Sequence, residues 1–428
     1  MQNLIKKIKT KNSTICIIGL GYVGLPLAVN FSSKGFRTVG FDNDPKKISS
    51  LKKNNLYVDT VEIKKFIGSK SKLTFTNNEE KIANSDIFII CVPTPITKNK
   101  SPDMRYLNET VKLLSKIDLK NKAIILESTT YPGTTEEIYL NILKQKKLIP
   151  GKNVFLIYSP ERVDPGNPKY QIENTPKIIS GYSPRCLQVA KELYKNITKI
   201  YPVSSLKTAE FTKLLENVYR SINIGFVNEM KLISEKLGID IFESIKAASS
   251  KPFGYVPFYP GPGLGGHCIP VDPYLLSWKA KELDFNARFI ELSGQINDQM
   301  PNYIVGKCIE LLNRNEKKIK KSKILLLGVS YKKNSADLRE SPALKIIDKL
   351  NFLQADVYFA DRHVGIKDLK RKKVKKINFS KSNISKFDCL IIVTDHNYFD
   401  YNMIEKYAKL IVDCRGRLKK ISKNKIRA

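Results

Sequence analysis

Residues 14–44 read TICIIGLGYVGLPLAVNFSSKGFRTVGFDND, and they constrain the fold more than any other stretch. A β-branched run ends at Ile18, and glycines follow at 19, 21 and 24. An apolar periodic segment then covers about 22–34, Gly35 stops it, and a second strand closes on Asp42. A bare GxGxxG carries little information. Here it follows a strand and opens a helix, and an acid ends the next strand 18 residues after Gly24. That combination is a dinucleotide fingerprint. Gly19 allows the tight turn, Gly21 lets a pyrophosphate approach the backbone, and Gly24 lets the helix lie on the sheet. Free N–H groups at the helix start suit phosphates. An acid at Asp42 accepts from ribose hydroxyls and repels a 2′-phosphate, so NAD is expected rather than NADP.

Further strands follow. The run 86-DIFIICVPTP-95 leads into a proline-bounded loop, and 123-AIILESTTYPGTTEE-137 gives a strand, a polar loop and a helix start. A third, VFLIYSPERVDPG, begins at Val154. In a doubly wound sheet the strand ends line the ligand edge, which puts Thr94, Thr129 and Thr130 within reach of cofactor or reacting groups. The competing reading is turn chemistry. For Thr134, with Glu137 three residues on, a helix cap is the better reading. Glu161 and Arg162 also sit at a strand end, where the carboxylate is equally a working group or half of a salt bridge.

The middle of the chain is helical. Residues 204–237 show helical periodicity without proline. Lys213, Asn217 and Arg220 share one face there, either as a solvated stripe or, for the lysine and the amide, as an oxyanion site. Next comes 258-FYPGPGLGGHCIPVDPYLL-276, with four glycines and four prolines, which neither helix nor strand tolerates. This loop holds Cys268, with His267 before it and Asp272 four residues on. The thiol is a buried structural group or a nucleophile. Helical segments are expected over 274–314, with Pro301 marking a break or kink. A basic linker, 317–323, introduces a second strand-helix-strand pattern with KILLLGVS, SPALKIIDKL, DVYFAD, CLIIVTDH and LIVDCRGR. Gly328 is the one glycine at its first turn, so this half should bind something other than a dinucleotide. Lys332, Arg339 and Arg415 lie at its strand-end loops, as phosphate ligands or as surface charges.

Composition excludes several classes. Seven widely spaced cysteines with no CxxC argue against disulfides and zinc, and three histidines weaken any metal site. Lys6, Lys7, Lys9 and Lys11 precede an apolar run, but that run carries the glycine fingerprint and no cleavage site, so no export signal is expected. No apolar segment reaches membrane-spanning length, and a cytoplasmic location is expected. The net charge of +33 is spread along the chain, with one basic block, 367-KDLKRKKVKK-376, that reads as a solvated segment. A nucleic-acid partner would leave the glycine fingerprint and Asp42 unexplained. A positive field does help attract a polyanionic small substrate. A chain of 428 residues should divide into two or three domains.

NAD takes hydride, and a thiol near it can trap an aldehyde as a thiohemiacetal that is then oxidised to a thioester. A lone alcohol oxidation needs no cysteine.

Taken together, GLGYVGLPLA, the VPTP loop, ESTTYPGTT, YSPER, AEFTKLLENVYRSINIGFVNE, GPGLGGHCIPVDP and YKKNSADLRESPAL resemble the UDP-glucose/GDP-mannose dehydrogenase family over nearly the whole chain. The form GGHCIPVDP, unlike the GGSC type of glucose enzymes, is similar to the branch acting on UDP-N-acetylhexosamines. The resemblance implies an α/β fold with two Rossmann-like domains joined by a long central helix and a helical middle domain. It divides the chain into an NAD-binding domain at 1–203, a helical dimerisation domain with the cysteine loop at 204–315, and a UDP-sugar domain at 316–428. It makes Cys268 the nucleophile, Lys213 and Asn217 the oxyanion and water pair, Asp272 the acid that assists proton movement, and Glu161 and Thr130 the residues that position hydrolytic water. Cofactor contacts fall to Gly19, Gly21, Tyr22, Val23, Gly24, Asp42, Pro93, Thr94, Thr129 and Arg339. Substrate contacts fall to Arg162, Lys213, Tyr259, Gly265, Lys332 and Arg415, and there is no metal. His267 departs from the glucose branch, and packing is its preferred role over reading an N-acetyl group. The reaction implied is four-electron oxidation at C6 of UDP-N-acetyl-D-glucosamine, with the mannosamine and galactosamine epimers as alternatives, for surface-polysaccharide precursors such as O-antigen or capsule. A homodimer or larger homo-oligomer is implied as well. The rival from another reaction class is a two-electron hydroxy-acid dehydrogenase in which Cys268 is structural.

Overall fold

The computed structural model describes residues 1–55, 72–164, 167, 169–418 and 421–428. The chain forms two compact units, Met1–Glu216 with Trp278–Asp284, and Asn217–Ser277 with Phe285–Ala428.

In the first unit eight strands form one sheet: β1 (Thr14–Ile18), β2 (Arg37–Phe41), β3 (Leu73–Thr76), β4 (Ile87–Ile90), β5 (Ala123–Leu126), β6 (Phe155–Tyr158), β7 (Lys177–Gly181) and β8 (Ile200–Pro202). Their order is β3-β2-β1-β4-β5-β6-β7-β8, so the direction of winding reverses between β1 and β4. The strands from β1 to β6 are parallel, and IFII, AIIL and FLIY are buried throughout, as strands covered on both faces must be. One face packs Ile15, Ile17, Ile87 and Ile89 on Leu27, Phe31 and Phe36. The other packs Cys16, Ile18, Phe88 and Ile90 with Leu107, Leu114 and Tyr139. Alternation along each strand divides these residues between the two layers. β7 runs antiparallel to β6, with Tyr158 opposite Ser180. Its first residue, Lys177, therefore lies at the carboxyl edge of β6.

In the second unit six parallel strands form a sheet: β9 (Lys323–Leu327), β10 (Asp356–Ala360), β11 (Lys375–Lys376), β12 (Cys389–Ile392), β13 (Ile411–Asp413) and β14 (Lys425–Arg427). The order is β11-β10-β9-β12-β13-β14, with the same reversal beside the first strand. The helices Arg288–Asn313 and Pro342–Phe352 supply Ile304, Cys308, Leu311, Ile346 and Ile347 to one core layer. Leu325, Leu327, Phe387 and Ile404 belong to the other.

The long helix is Leu206–Lys236, 31 residues, two positions shorter at its start and one at its end than its sequence periodicity predicts. Phe211, Leu215, Tyr219 and Phe226 are exposed along it, which leaves an apolar stripe uncovered in the single chain. Of the break or kink expected at Pro301, no break is formed. The helix runs through it from Arg288 to Asn313. The interruption is packed rather than solvated: Pro301 is buried, and a Cβ on Gly263 would lie 3.1 Å from the Asn297 oxygen and 3.5 Å from Pro301 Cδ. No described helix is long and apolar enough to cross a membrane.

Candidate active site

The glycine turn has the dimensions a dinucleotide needs. Gly19 has φ +93°, and its N–H donates to the Phe41 oxygen at 2.8 Å. A Cβ on Gly24 would stand 1.9 Å from the Gly19 oxygen. Gly21 faces open space, with nothing within 4 Å of where its Cβ would be. The helix begins at Gly24, two residues later than its periodicity predicts, and no side chain caps it. Leu25 N donates to the Gly21 oxygen at 3.1 Å and Pro26 carries no N–H, so what this start offers an anion is its dipole and the open backbone at Gly21. Val23 is the N-cap, and Tyr22 precedes it half-buried. Asp42 is 5% exposed and accepts from Leu20 N and Asp44 N, both at 3.0 Å, with Lys47 Nζ at 3.1 Å. The residues present fit a dinucleotide.

The second sheet repeats this turn and closes it. Gly328 has φ +72° and donates to the Ala360 oxygen at 3.0 Å, and Val329 N donates to Asp361 Oδ2 at 2.9 Å. Asp361 thus stands where Asp42 stands in the first sheet. Its Oδ1 accepts from His363 N, and its Oδ2 also meets His396 Nε2 at 3.1 Å. His396 is fully buried, and its Nδ1 accepts from Asn334 N at 2.8 Å, which places the ring proton on Nε2. Burial raises the Asp361 pKa, but His396 and the backbone donors outweigh it, and the carboxyl is held below its usual range. Both acids accept backbone N–H donors; Asp361 differs in meeting a fully buried imidazole where Asp42 meets the partly exposed Lys47.

At the carboxyl edge of the first sheet, Thr94 Oγ1 donates to the Thr129 oxygen, Pro93 is exposed, and the buried Thr130 hydroxyl makes no hydrogen bond among the described residues. Glu161 Oε1 accepts from Arg162 N (2.8 Å) and Val163 N (2.7 Å), and its Oε2 pairs with Lys177 Nζ at 3.1 Å. Burial pushes the Glu161 pKa up, yet Lys177 and the two N–H donors bring it below the usual carboxylate range. Lys177 also pairs with Glu127 Oε2 at 2.9 Å, and Tyr194 donates to Glu127 Oε1. Arg162 is spent on Glu216 Oε1 (2.6 Å) and the Pro176 oxygen (2.7 Å).

The cap expected at Thr134 is not formed. Gly133 is the N-cap, and Thr134 Oγ1 turns back to the Tyr131 oxygen at 2.6 Å. Glu137 is drawn to Tyr131 OH (2.8 Å) and Lys279 (2.9 Å). Glu210 of the long helix takes the place of the cap, accepting from Gly133 N (2.5 Å), Thr135 N (2.9 Å) and Thr135 Oγ1 (2.6 Å). A carboxyl group that takes three donors at once outcompetes a single hydroxyl for this helix start. Glu210 is fully buried, and burial against these donors pushes its pKa from 4.5 up to about 7. The fold therefore favours the protonated acid. That stability is complete below the unfolded value and is lost as pH rises through about 7. The loss amounts to about 3 kcal/mol. In Glu210→Gln the drop should vanish: thermal midpoints at pH 5 and pH 8 should differ less than in the parent. Equal differences in the two proteins would refute the assignment.

Lys213 and Asn217 are both buried on the long helix, whereas Arg220 is exposed, so the three do not form a solvated stripe. Lys213 belongs to the first unit and Asn217 to the second. Asn217 Nδ2 donates to Asp272 Oδ2 at 2.5 Å. Asp272 is buried and opens the helix Asp272–Lys281. Its N–H and that of Val271 donate to the Cys268 oxygen at 2.8 and 3.0 Å. Cys268 is the one half-buried cysteine of the seven, and the other six are buried. Burial pushes the Cys16, Cys91 and Cys414 thiols well up, which keeps them protonated and inert.

The loop glycines mark close approaches. A Cβ on Gly261 would meet the Arg415 guanidinium at 2.8 Å, and one on Gly265 would meet Tyr331 Cβ at 2.5 Å. Gly266 (φ +88°) faces the Tyr331 ring at 2.9 Å, and its N–H donates to the Arg339 oxygen at 2.9 Å. The cysteine loop therefore lies on the loop 328–341 that carries Lys332 and Arg339. Lys332 is half-buried, with its backbone oxygen accepting from Ser330 Oγ at 2.9 Å. Arg339 is exposed and pairs with Asp337, and Arg415 Nε donates to the Val393 oxygen at 2.8 Å. Tyr259 is exposed, and His267 is half-buried.

The sequence reading passed over Glu127, Lys177, Glu210, Tyr331 and His396. Glu127 had a signal, being an acid at a strand end. Lys177 had none among 74 basic residues. No group of residues with metal-ligand character occurs among the described residues.

Three sequence models of the UDP-glucose/GDP-mannose dehydrogenase family match: the NAD binding domain over 13–198, the central domain over 207–299, and the UDP binding domain over 325–420. A UDP-N-acetyl-D-glucosamine 6-dehydrogenase from Pseudomonas aeruginosa is 35% identical over 365 residues, 84% of this chain and 85% of that protein. A UDP-N-acetyl-D-mannosamine dehydrogenase from Methanococcus vannielii is 34% identical over 429 residues, 96% of this chain and 95% of that protein. The solved structure of a UDP-D-ManNAc dehydrogenase from Pyrococcus horikoshii superposes with a TM-score of 0.87 at 30% identity, covering 97% of this chain and 98% of that one.

Proposed function

The chain belongs to the UDP-glucose/GDP-mannose dehydrogenase family, and from that premise we propose that it oxidises the C6 hydroxyl of UDP-N-acetyl-D-glucosamine to the carboxylate. Its cofactor is NAD. The observation that carries the four-electron reading is Cys268: one half-buried thiol among seven, set at the start of a helix whose first acid is tied to Asn217. The relative from Pseudomonas aeruginosa supports the glucosamine sugar. UDP-N-acetyl-D-mannosamine is the second reading, because relatives named for it are equally similar.

NAD would supply the hydride acceptor, one molecule for each of the two oxidations. The chain would hold it through the open face of Gly21, the uncapped helix start and Asp42. Lys213 and Asn217 stabilise the oxygen of C6 as it loses its proton. Cys268 then adds through Sγ to the aldehyde carbon, forming a C–S bond, and the thiol proton leaves by way of Asp272. Loss of the second hydride gives a thioester. Water, oriented by Glu161 and Thr130, adds to that carbonyl, the C–S bond breaks, and Cys268 takes back a proton. Lys332 and Arg415 bind the diphosphate.

The test is NADH formed per sugar consumed, with UDP-N-acetylglucosamine, UDP-N-acetylmannosamine, UDP-N-acetylgalactosamine and UDP-glucose each supplied with NAD. Two NADH per molecule are expected, with UDP-N-acetylglucosamine the best substrate. One NADH would replace this reading with a two-electron dehydrogenase in which Cys268 only packs.

A further inference from the structure

We propose that Lys177 is a positioning residue that keeps Glu161 ionised and aimed along the carboxyl edge of the first sheet. This rests on the role given to Glu161 above.

The placement follows from one reversed strand. β1 to β6 all present their last residues at that edge, whereas the antiparallel β7 presents its first. Continuing the register of Tyr158 with Ser180 sets residue 177 opposite residue 161. The lysine is 4% exposed, so its charge is answered by protein groups rather than water. Those groups are Glu127 Oε2 at 2.9 Å, Glu161 Oε2 at 3.1 Å, and the Tyr194 ring, 5.4 Å from Nζ. The two carboxylates differ. Glu127 is enclosed on both oxygens, by Lys177 and by the Tyr194 hydroxyl. Glu161 is half-buried and turns its other oxygen to two backbone N–H groups of its own loop.

Two carboxylates share one ammonium, so the cluster holds one excess negative charge when all are ionised. Cys91, which follows the end of β4, also borders it as a neutral thiol whose pKa burial pushes up. Arg162, next in sequence, is committed to Glu216. Lys177 is therefore the cation that holds Glu161 charged, and Glu127 is the anion that weakens that hold. The pKa directions agree: Glu161 is lowered despite burial, and Glu127 is raised by it.

Two substitutions should move activity in opposite senses. In Lys177→Met the acid limb of the kcat–pH profile should shift up by about one unit or more, which is about tenfold in kcat on that limb per unit. Rates at high pH should recover, KM for NAD and UDP-sugar should change less than twofold, and Lys177→Arg should restore the limb. Glu127→Gln frees Lys177 for Glu161 alone, so the limb should move down. This second variant leaves no buried charge unpaired and keeps the test available when Lys177→Met does not fold. Loss of activity that is uniform across pH, or a limb fixed in both variants, would overturn the proposal. Glu161→Gln separates the two levels. A fully active Glu161→Gln removes the role of Glu161 and this proposal with it. An inactive Glu161→Gln beside unmoved limbs removes only the role of Lys177.

Discussion

Cys268→Ser is expected to reduce steady-state turnover on the order of 10³-fold or more, the scale seen when a nucleophile is lost. The side chain changes by one atom, and the loop around it is held by bonds that do not involve the sulfur. The Cys268 oxygen accepts from Val271 and Asp272, Gly266 is bonded to the Arg339 oxygen, and Asp272 is held by Asn217. The variant should therefore fold, bind NAD and bind UDP-sugar as the parent does. A serine hydroxyl is far harder to ionise than a thiol, so the aldehyde is not captured and the second oxidation stalls. The measurements are kcat and the NADH yield of a single turnover, expected at no more than one per active site. Turnover close to the parent's would remove Cys268 from the reaction and favour the two-electron reading.

Gly24→Ala is expected to cost stability and NAD binding together. The new methyl would sit 1.9 Å from the Gly19 oxygen and 3.1 Å from Cys91 Cβ. The first of these is backbone, with no side chain to rotate away, so the helix must lift off the sheet or the turn must open. Overpacking alone costs about 1–3 kcal/mol, and a backbone clash belongs at the top of that range. Any part of it spent on reshaping the turn appears in NAD affinity at about 1.4 kcal/mol per tenfold. Gly21→Ala is the control, since nothing lies within 4 Å of its Cβ. That protein should melt with the parent and still bind NAD weakly, because the methyl fills the face left for the pyrophosphate. Calorimetric melts with a fluorescence titration of NAD read both effects. A Gly24→Ala protein with parental stability and affinity would mean the helix does not need this contact.

The parts of the fold legible beforehand are those whose signal is local. IFII, AIIL and FLIY are continuous apolar runs because they are covered on both faces, and the long helix was visible to within two residues because nothing in it breaks its period. β7 and β8 escaped notice: one starts with a lysine and the other is only IYP, and neither has a pattern of its own. Position 134 misled because the competitor for its helix start, Glu210, lies 75 residues from Thr135. At Pro301 the sequence left break and kink open, because it does not show the loop packed on the turn that the proline interrupts. For Glu161 the choice between salt bridge and working group had no local answer, since its partner Lys177 reaches it only through a strand reversal. The Asn217–Asp272 pair spans 55 residues: local spacing marked each position within its own segment, but nothing local joined the two.

Under the four-electron reading proposed above, the closing of Asp361 by His396 bears on how two oxidations would be timed. Of the two glycine turns, the first has open space at Gly21, whereas Gly328 of the second is packed against Thr394 and His396, so one place of dinucleotide type is seen among the described residues. A chain with one such place cannot host both electron acceptors at once. An oxidation that removes two hydrides from one carbon then requires the spent cofactor to depart and a fresh one to arrive while the half-oxidised sugar waits. A reactive aldehyde left free would diffuse or hydrate during that interval. In that reading a tether through sulfur would outlast the exchange, and retention, rather than speed of hydride removal, would be the demand placed on the cysteine loop.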